Sequence, residues 1–389
     1  MNARGPLGGV RVLELGGIGP VPFAGMVLAD MGAEVVRVHR TEVVESGVDP
    51  VGSPVLDRGR RSLGLDLKHP AGMACALRLV SEADVVLEGF RPGVAERLGV
   101  GPTPCLERNP GLVYGRMTGW GQDGPLAEAP GHDINFISVA GVLGHIGRRG
   151  QAPTPPLNLV GDFGGGGMLL ALGVVCALLE AQRSGAGQVV DAAMVDGAAL
   201  LMAMIWGHRA LGRWVPERGA NIYDSGAPDY DVYETSDGAW LAVGAREPKF
   251  FAALLDRLGI DGDTLPAQDD RAGWPVVHDR IAEVIRTRTR DEWTAELEGA
   301  GVCVSPVLSM DEVLDHPHLR ARGTFVERDG VVHPAPAPRF SRTPSQLGAP
   351  MPEPGRDTDA VLLEWGFGAD EIAELASCGA VRRREDTQR

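Results

Sequence analysis

Val10-Arg11-Val12-Leu13-Glu14-Leu15-Gly16-Gly17 decides the fold. An apolar, β-branched run that ends in glycines reads as a buried strand entering a tight turn. Pro22 to Met31 then reads as a helix and Glu34 to Val38 as a second, parallel strand, so the chain opens with a βαβ unit. The pattern continues outward as a helix over 70–82, a strand from Asp84 to Glu88, a short helix near 93–98 and a strand from Leu112 to Met117. Strands and helices alternating in this way predict an α/β fold with a doubly wound parallel sheet. Ligands of such sheets lie outside the carboxyl ends of the strands. The first turn is not a dinucleotide fingerprint: Gly17 and Gly19 are present, but Pro22 stands where the third glycine belongs. The second strand ends in His39-Arg40 and not in an acidic residue that would hold ribose hydroxyls. That end better suits a phosphorylated ribose, although a solvated strand end explains Arg40 equally well.

Further along, Gly131-His132-Asp133-Ile134-Asn135-Phe136 places a polar pair before an apolar stretch. Leu157-Asn158-Leu159-Val160-Gly161-Asp162-Phe163-Gly164-Gly165-Gly166-Gly167 then runs into an apolar helix, Met168 to Leu179. Asp162 falls at the start of that helix, where free N–H groups and the helix dipole favour developing negative charge. Four successive glycines are costly in chain entropy. They are expected to bare the backbone where a ligand touches it.

After a turn at Ser184-Gly185-Ala186-Gly187 come a strand from Val189 to Asp191 and a long apolar helix through Trp206. The chain is expected to divide into a large domain over 1–226, a smaller α+β domain over 227–326, and a linker and return to the large domain over 327–389. The small domain is predicted to hold strands at Tyr230 to Glu234 and Trp240 to Val243, with helices near 248–258, 276–286 and 291–299. Proline-rich His333 to Pro354 reads as an extended linker, followed by a helix near 370–377. The tail Arg382-Arg383-Arg384-Glu385-Asp386 reads as disordered.

The 389 residues are enough for two domains, and 44% hydrophobic content buries a substantial core. A formal charge of −15 argues against nucleic acid, which needs a basic partner surface. Five scattered cysteines without C-x-x-C spacing argue against a zinc site or a disulfide framework and suit a reducing cytoplasm. The N-terminus has no signal pattern. Met168 to Leu179 is too short to span a bilayer and reads as a buried helix, so no membrane is expected. His316-Pro317-His318 beside Asp315 reads as a surface loop and not as a metal site.

Pro130-Gly131-His132-Asp133-Ile134-Asn135 and Gly161-Asp162-Phe163-Gly164-Gly165-Gly166 resemble the two active-site segments of the α-methylacyl-CoA racemases of the CaiB/BaiF superfamily, also called class III CoA transferases. The likeness also takes in Val10 to Leu15, Leu65-Asp66-Leu67-Lys68, Glu88 to Gly93, Arg116 to Gly121 and Gln188 to Asp191, in order from about residue 6 to residue 340. It implies an acyl-CoA substrate, no separate cofactor and an interlocked homodimer. In that dimer, each active site would join His132 and Asp162 of one subunit to small-domain groups of the other. It also implies that CoA is held by Arg40, by Leu65, Asp66, Leu67 and Lys68, and by Gly89, Arg91 and Arg97. Thr118 and Gly119, and Gly131 with Asp133, Ile134, Asn135, Phe136 and Ile137, are implied to line the rest of the substrate site. Arg60 and Arg61 are expected on a loop beside Lys68.

The chemistry implied is inversion of a carbon next to a thioester carbonyl. Removing its hydrogen needs a base and stabilisation of the enolate oxygen, and inversion needs an acid on the opposite face. His132 and Asp162 are the candidate pair. Glu247, in Gly244-Ala245-Arg246-Glu247-Pro248, matches a family glutamate that orients the histidine. On its own it reads more readily as a helix-start glutamate, and only the resemblance reverses that. Asp133 reads either as a second polar partner or as a helix cap. The rival reading is a CoA transferase in which Asp162 attacks the thioester and forms a mixed anhydride. Transferase relatives generally lack histidine at the position of His132, which favours the racemase. A non-catalytic acyl-CoA-binding protein would have no need of His132, Asp162 and Glu247 together.

Overall fold

The computed structural model describes residues 5–384. Two compact units emerge. Among the described residues, the first takes in 5–140, Leu157–Leu201 and 323–384; the second is Gly141–Pro156 with Met202–Arg322. The expected boundaries at 226/227 and 326/327 therefore fall elsewhere. Residues 202–226 and the short excursion 141–156 group with the second unit, and 323–326 with the first.

The first unit is built on seven strands: β1 (Arg11–Gly16), β2 (Glu34–His39), β3 (Arg60–Leu65), β4 (Val85–Glu88), β5 (Val113–Thr118), β6 (Gln188–Ala193) and β12 (Val381–Arg382). Their order is β12-β3-β2-β1-β4-β5-β6. All are parallel except β12, which runs antiparallel to β3. In-register neighbours share a face: Val12, Val35 and Val85 lie under the helices Pro20–Asp30 and Leu169–Ser184. Leu13, Val36 and Val86 lie under Pro70–Glu82 and the C-terminal helices Thr358–Glu364 and Ala369–Ser377. Both faces are covered, which is why these strands read as unbroken apolar runs.

Several elements depart from expectation. Arg60 and Arg61 are not on a loop; they open β3. A strand tolerates two arginines here because each is neutralised. Arg60 Nε donates to Glu14 at 2.8 Å, and Arg61 reaches Glu34 at 2.8 Å. The helix expected over Met168 to Leu179 is longer, since Leu159–Met168 is wound as a π-helix that continues into Leu169–Ser184. The resulting 26-residue helix is long and apolar enough to cross a membrane by length and composition. The core helix of a parallel sheet meets the same test, and Gly115 on β5 lets Leu170 and Val174 settle closely onto the sheet. The helix expected through Trp206 is two, Met194–Leu201 and Ala203–Ala210. Within the expected linker, Val331–Pro334 (β11) pairs with Phe325–Arg328 (β10) across an Asp329-Gly330 turn. Arg382 is part of β12, and Arg383 and Arg384 pair with Asp359 and Glu353. Glu385 and Asp386 lie outside the described residues.

The second unit holds a three-stranded antiparallel sheet of β7 (Tyr230–Glu234), β8 (Trp240–Gly244) and β9 (Val304–Pro306). The helices Pro248–Arg257, Trp274–Ile285 and Arg290–Leu297 pack on it through Leu254, Val277, Ile281, Trp293 and Leu297.

Candidate active site

Two helix starts meet in the first unit. His132 is the N-cap of the helix Asp133–Val139; its backbone N–H donates to Asn135 Oδ1 at 3.0 Å, and its side chain is exposed. Asp162 sits in the first turn of the π-wound segment Leu159–Met168, a form of winding that recurs at functional sites. Its Oδ2 accepts from Asn158 Nδ2 at 3.0 Å. Burial raises the proton affinity of the Asp162 carboxyl above its ordinary value. The charge of Asp133 pushes the same way, while the Asn158 hydrogen bond and His132 oppose it. Asp133 is buried, and its Oδ2 accepts from the N–H groups of Gly161 at 2.6 Å and Asp162 at 2.8 Å. It is thus a cap, but for the neighbouring helix and not for its own, which His132 caps.

The glycine run does something other than expected. A methyl group on Gly165 would stand 2.6 Å from Ala198 N, and one on Gly197 would stand 1.9 Å from Gly165 O. Methyl groups on Gly166 and Gly167 would meet Met194, Pro20 and Phe23 within 3 Å or little more. The run therefore lets the π-wound segment press against the helices Met194–Leu201 and Pro20–Asp30, and no ligand is needed to explain it. Gly19, with φ +64°, shows the same closeness from the other side, as a Cβ there would lie 3.4 Å from Asp162 Oδ2. Any side chain at that position would be strained and would crowd the carboxylate.

The loop carrying Gly19 also leads into a cavity of about 360 Å3 outside the carboxyl ends of β1 to β4. The strand order reverses between β1 and β4, the point where open α/β sheets bind ligands. Of the residues expected to hold CoA, Arg40, Leu65, Asp66, Leu67, Lys68 and Gly89 line it. Arg40 and Lys68 are exposed. Glu88 shapes one wall by accepting from Phe90 N at 2.7 Å and from Arg116 Nε at 2.7 Å. His39 does not offer a charge to a phosphate: it is buried between Ser62 Oγ at 2.8 Å and Asp49 Oδ2 at 3.2 Å. Burial and the neighbouring Arg37 push its pKa down.

The other expected residues lie apart from that cavity. Arg91 and Arg97 are exposed and do not line the cavity, Arg97 being in the short helix Val94–Arg97. Thr118 is buried, and its Oγ1 accepts from Gly121 N at 2.9 Å. Gly119 and Gly131 make room for the Phe136 ring, since a Cβ on either would stand 2.1 Å or 2.7 Å from it. Phe136 and Ile137 are buried in the fold, whereas Ile134 and Asn135 face outward. Glu247 belongs to the second unit, exposed at the N-cap of Pro248–Arg257. A larger cavity of about 760 Å3 in that unit is rimmed by Arg148, Arg149 and Arg286, but these pair with Asp231, Glu217 and Glu234. Arg271, also on the lining, donates to the carbonyl of Arg213.

Sequence over residues 7–358 matches the model of CoA-transferase family III. The chain belongs to CoA-transferase family III. It is 47% identical to mouse (Mus musculus) α-methylacyl-CoA racemase over 373 residues, covering 95% of this chain and 96% of the mouse protein. It is 44% identical to the human (Homo sapiens) α-methylacyl-CoA racemase over 375 residues, with the same coverage. Its fold is similar to the crystal structure of a CAIB/BAIF family protein from Brucella suis, with TM-score 0.80 at 27% identity over 93% of this chain and 100% of that one. Membership of CoA-transferase family III does not by itself point to Asn158, whose bond to Asp162 was not anticipated. The signal was present: an amide four residues before an acid falls one turn away at a helix start. The loop Asp49-Pro50-Val51, which closes one side of the cavity, carries no sequence mark of its role.

Proposed function

We propose that the protein interconverts the (2R) and (2S) forms of 2-methylacyl-CoA thioesters, with His132 and Asp162 as the two proton carriers. The observation that carries this reading is the raised proton affinity of Asp162 beside His132 at the meeting of two helix starts. A two-base inversion needs one group protonated and the other not, in either order. Burial, by raising the proton affinity of Asp162, favours the protonated carboxyl that must return a proton to the substrate. For one hand of substrate His132 takes the α-hydrogen and Asp162 returns a proton; for the other the roles reverse. The positive end of the helix dipoles favours the enolate oxygen, although the N–H groups of Gly161 and Asp162 are already donated to Asp133. Glu247 is assigned to orienting the imidazole, on the family likeness. CoA enters as part of the substrate, and the reaction uses no other cofactor. One 2-methylacyl-CoA incubated in deuterium oxide, with and without an acceptor acid, tests the reading. α-Deuteration without acyl exchange supports it; CoA appearing on the acceptor means that Asp162 acts as a transferase nucleophile.

The cavity at the strand ends is assigned to the CoA nucleotide, with Arg40 and Lys68 on its phosphates. Arg40→Ala or Lys68→Ala should weaken acyl-CoA binding by about 1.5–3 kcal/mol, as lost charge-assisted bonds do. Calorimetric titration measures this, and unchanged affinity in both variants would move the nucleotide elsewhere.

The working form is proposed to be a cytoplasmic homodimer. Support comes from an apolar stripe on Leu169–Ser184, where Leu172 and Leu179 are 57% and 49% exposed around Cys176. Soluble chains seldom leave such a stripe uncovered. In a dimer that covers it, iodoacetamide should modify the exposed Cys303 and Cys378 in native protein and spare Cys176 until denaturant is added. Cys75 and Cys105 are also spared, being buried with thiols pushed up to about 12. Rapid native labelling of Cys176, with a monomeric mass at micromolar concentration, argues against the dimer.

A further inference from the structure

Asp133 stands next to His132 in sequence and holds Asp162 through space. It is the first residue of the helix that His132 caps, and its Oδ2 accepts from the backbone N–H groups of both Gly161 and Asp162. One carboxylate therefore ties together the two segments that carry the proton-transferring side chains. We infer that Asp133 is a positioning residue for the proposed racemisation, fixing the Asp162 segment against the His132 segment; this rests on the two-base reading above.

Three observations support the assignment. Asp133 is only 5% exposed, and its second oxygen, Oδ1, is buried without a hydrogen-bond partner. A buried and half-unsatisfied carboxylate is costly, and a cap made for stability alone does not require it. Space around the bond is filled: a methyl group on Gly161 would stand 2.6 Å from Asp133 Oδ2 and 3.2 Å from Ile137 Cγ2. The contact thus needs glycine at 161, and the two residues form a matched pair. Finally, the charge of Asp133 raises the proton affinity of Asp162, the direction that a shared proton calls for. Reacting groups displaced by about 1 Å lose on the order of 10²-fold in rate, so a tether of this kind has kinetic weight.

The test is hand-selective exchange. Each hand of one 2-methylacyl-CoA is incubated in deuterium oxide with wild type, Asp133→Ala and Asp133→Asn, and initial α-deuteration is read by mass spectrometry beside kcat and KM. Asp133→Ala should lose about 10²-fold in kcat, with KM within a few-fold of wild type. Its exchange should fall most for the hand served by Asp162 and persist for the hand served by His132. Asp133→Asn keeps one acceptor oxygen, so it should recover most of the kcat while remaining slower on the Asp162 hand. Equal loss on both hands, or a fall confined to KM, overturns the assignment and leaves Asp133 a structural cap. If Asp133→Ala does not fold, Asp133→Asn decides: no change, or an equal fall on both hands, overturns it. Absence of α-exchange in the wild type is a different result, as it removes the racemase reading and not the tether.

Discussion

His132→Ala and Asp162→Ala should each lower racemisation by about 10²–10⁴-fold, the usual contribution of a general acid–base group. Acyl-CoA binding should change little in either, because the cavity at the strand ends is lined by neither residue. The two variants should differ in what they keep. With Asp162 gone, His132 can still exchange the α-hydrogen of the hand it faces; with His132 gone, Asp162 does so for the other. Each loses inversion and retains exchange on one side only. Stopped-time deuteration of the separate (2R) and (2S) thioesters measures this directly. Wild-type rates in a variant lacking both groups would show that the site lies elsewhere. Loss confined to Asp162→Ala, together with acyl transfer to carboxylates, would instead identify a transferase.

The second large effect is on stability. Arg60 and Glu14 are both fully buried, joined at 2.8 Å, and Arg60 also donates to the carbonyls of Pro22 and Leu56. Around them Arg37 contacts Glu14, Asp49 and Asp57. Removing one partner of a buried pair leaves an uncompensated charge and costs about 3–5 kcal/mol. Arg60→Met should therefore lower the free energy of unfolding by that amount in urea, followed by tryptophan fluorescence. Adding Glu14→Gln to Arg60→Met should recover part of the loss, since the stranded charge disappears. A shift below about 1 kcal/mol for the single variant would mean that water or a shifted neighbour satisfies Glu14.

These same arginines show where sequence reading runs out. Strands β1, β2, β4 and β5 were legible because both their faces are apolar, and helices such as Pro70–Glu82 because their signals are local. Strand β3 opens on Arg60-Arg61, and only Glu14 and Glu34, distant in sequence, make those residues fit for a sheet. The site divides in the same way. His132, Asp162 and the cavity residues after β3 stand in recognisable motifs. The strand end His39-Arg40 reads as suited to a phosphorylated ribose, yet His39 is held by Ser62 and Asp49, which come from other parts of the chain. The glycine run was read as room for a ligand, whereas the bodies that fill that room are Ala198, Met194, Pro20 and Phe23. No spacing rule brings residues so far apart in sequence together.

The pairing of β12 with β3 has a consequence for how the chain matures. The two C-terminal helices and Trp365 cover one face of a sheet whose other strands were made long before them. As the chain leaves the ribosome, that face is covered only in part, by Pro70–Glu82, until Thr358–Ser377 has emerged. Most of the second unit is one continuous run, Met202–Arg322, and can close on its own contacts earlier. Synthesis therefore passes through a stage in which a finished smaller body is attached to an unfinished larger one whose apolar sheet face is only partly covered. Such a stage invites chaperone binding and is prone to aggregation. Shortening the chain ahead of Thr358 would make that stage permanent, so Thr358–Arg382, with its two helices and β12, acts as the closing step of folding.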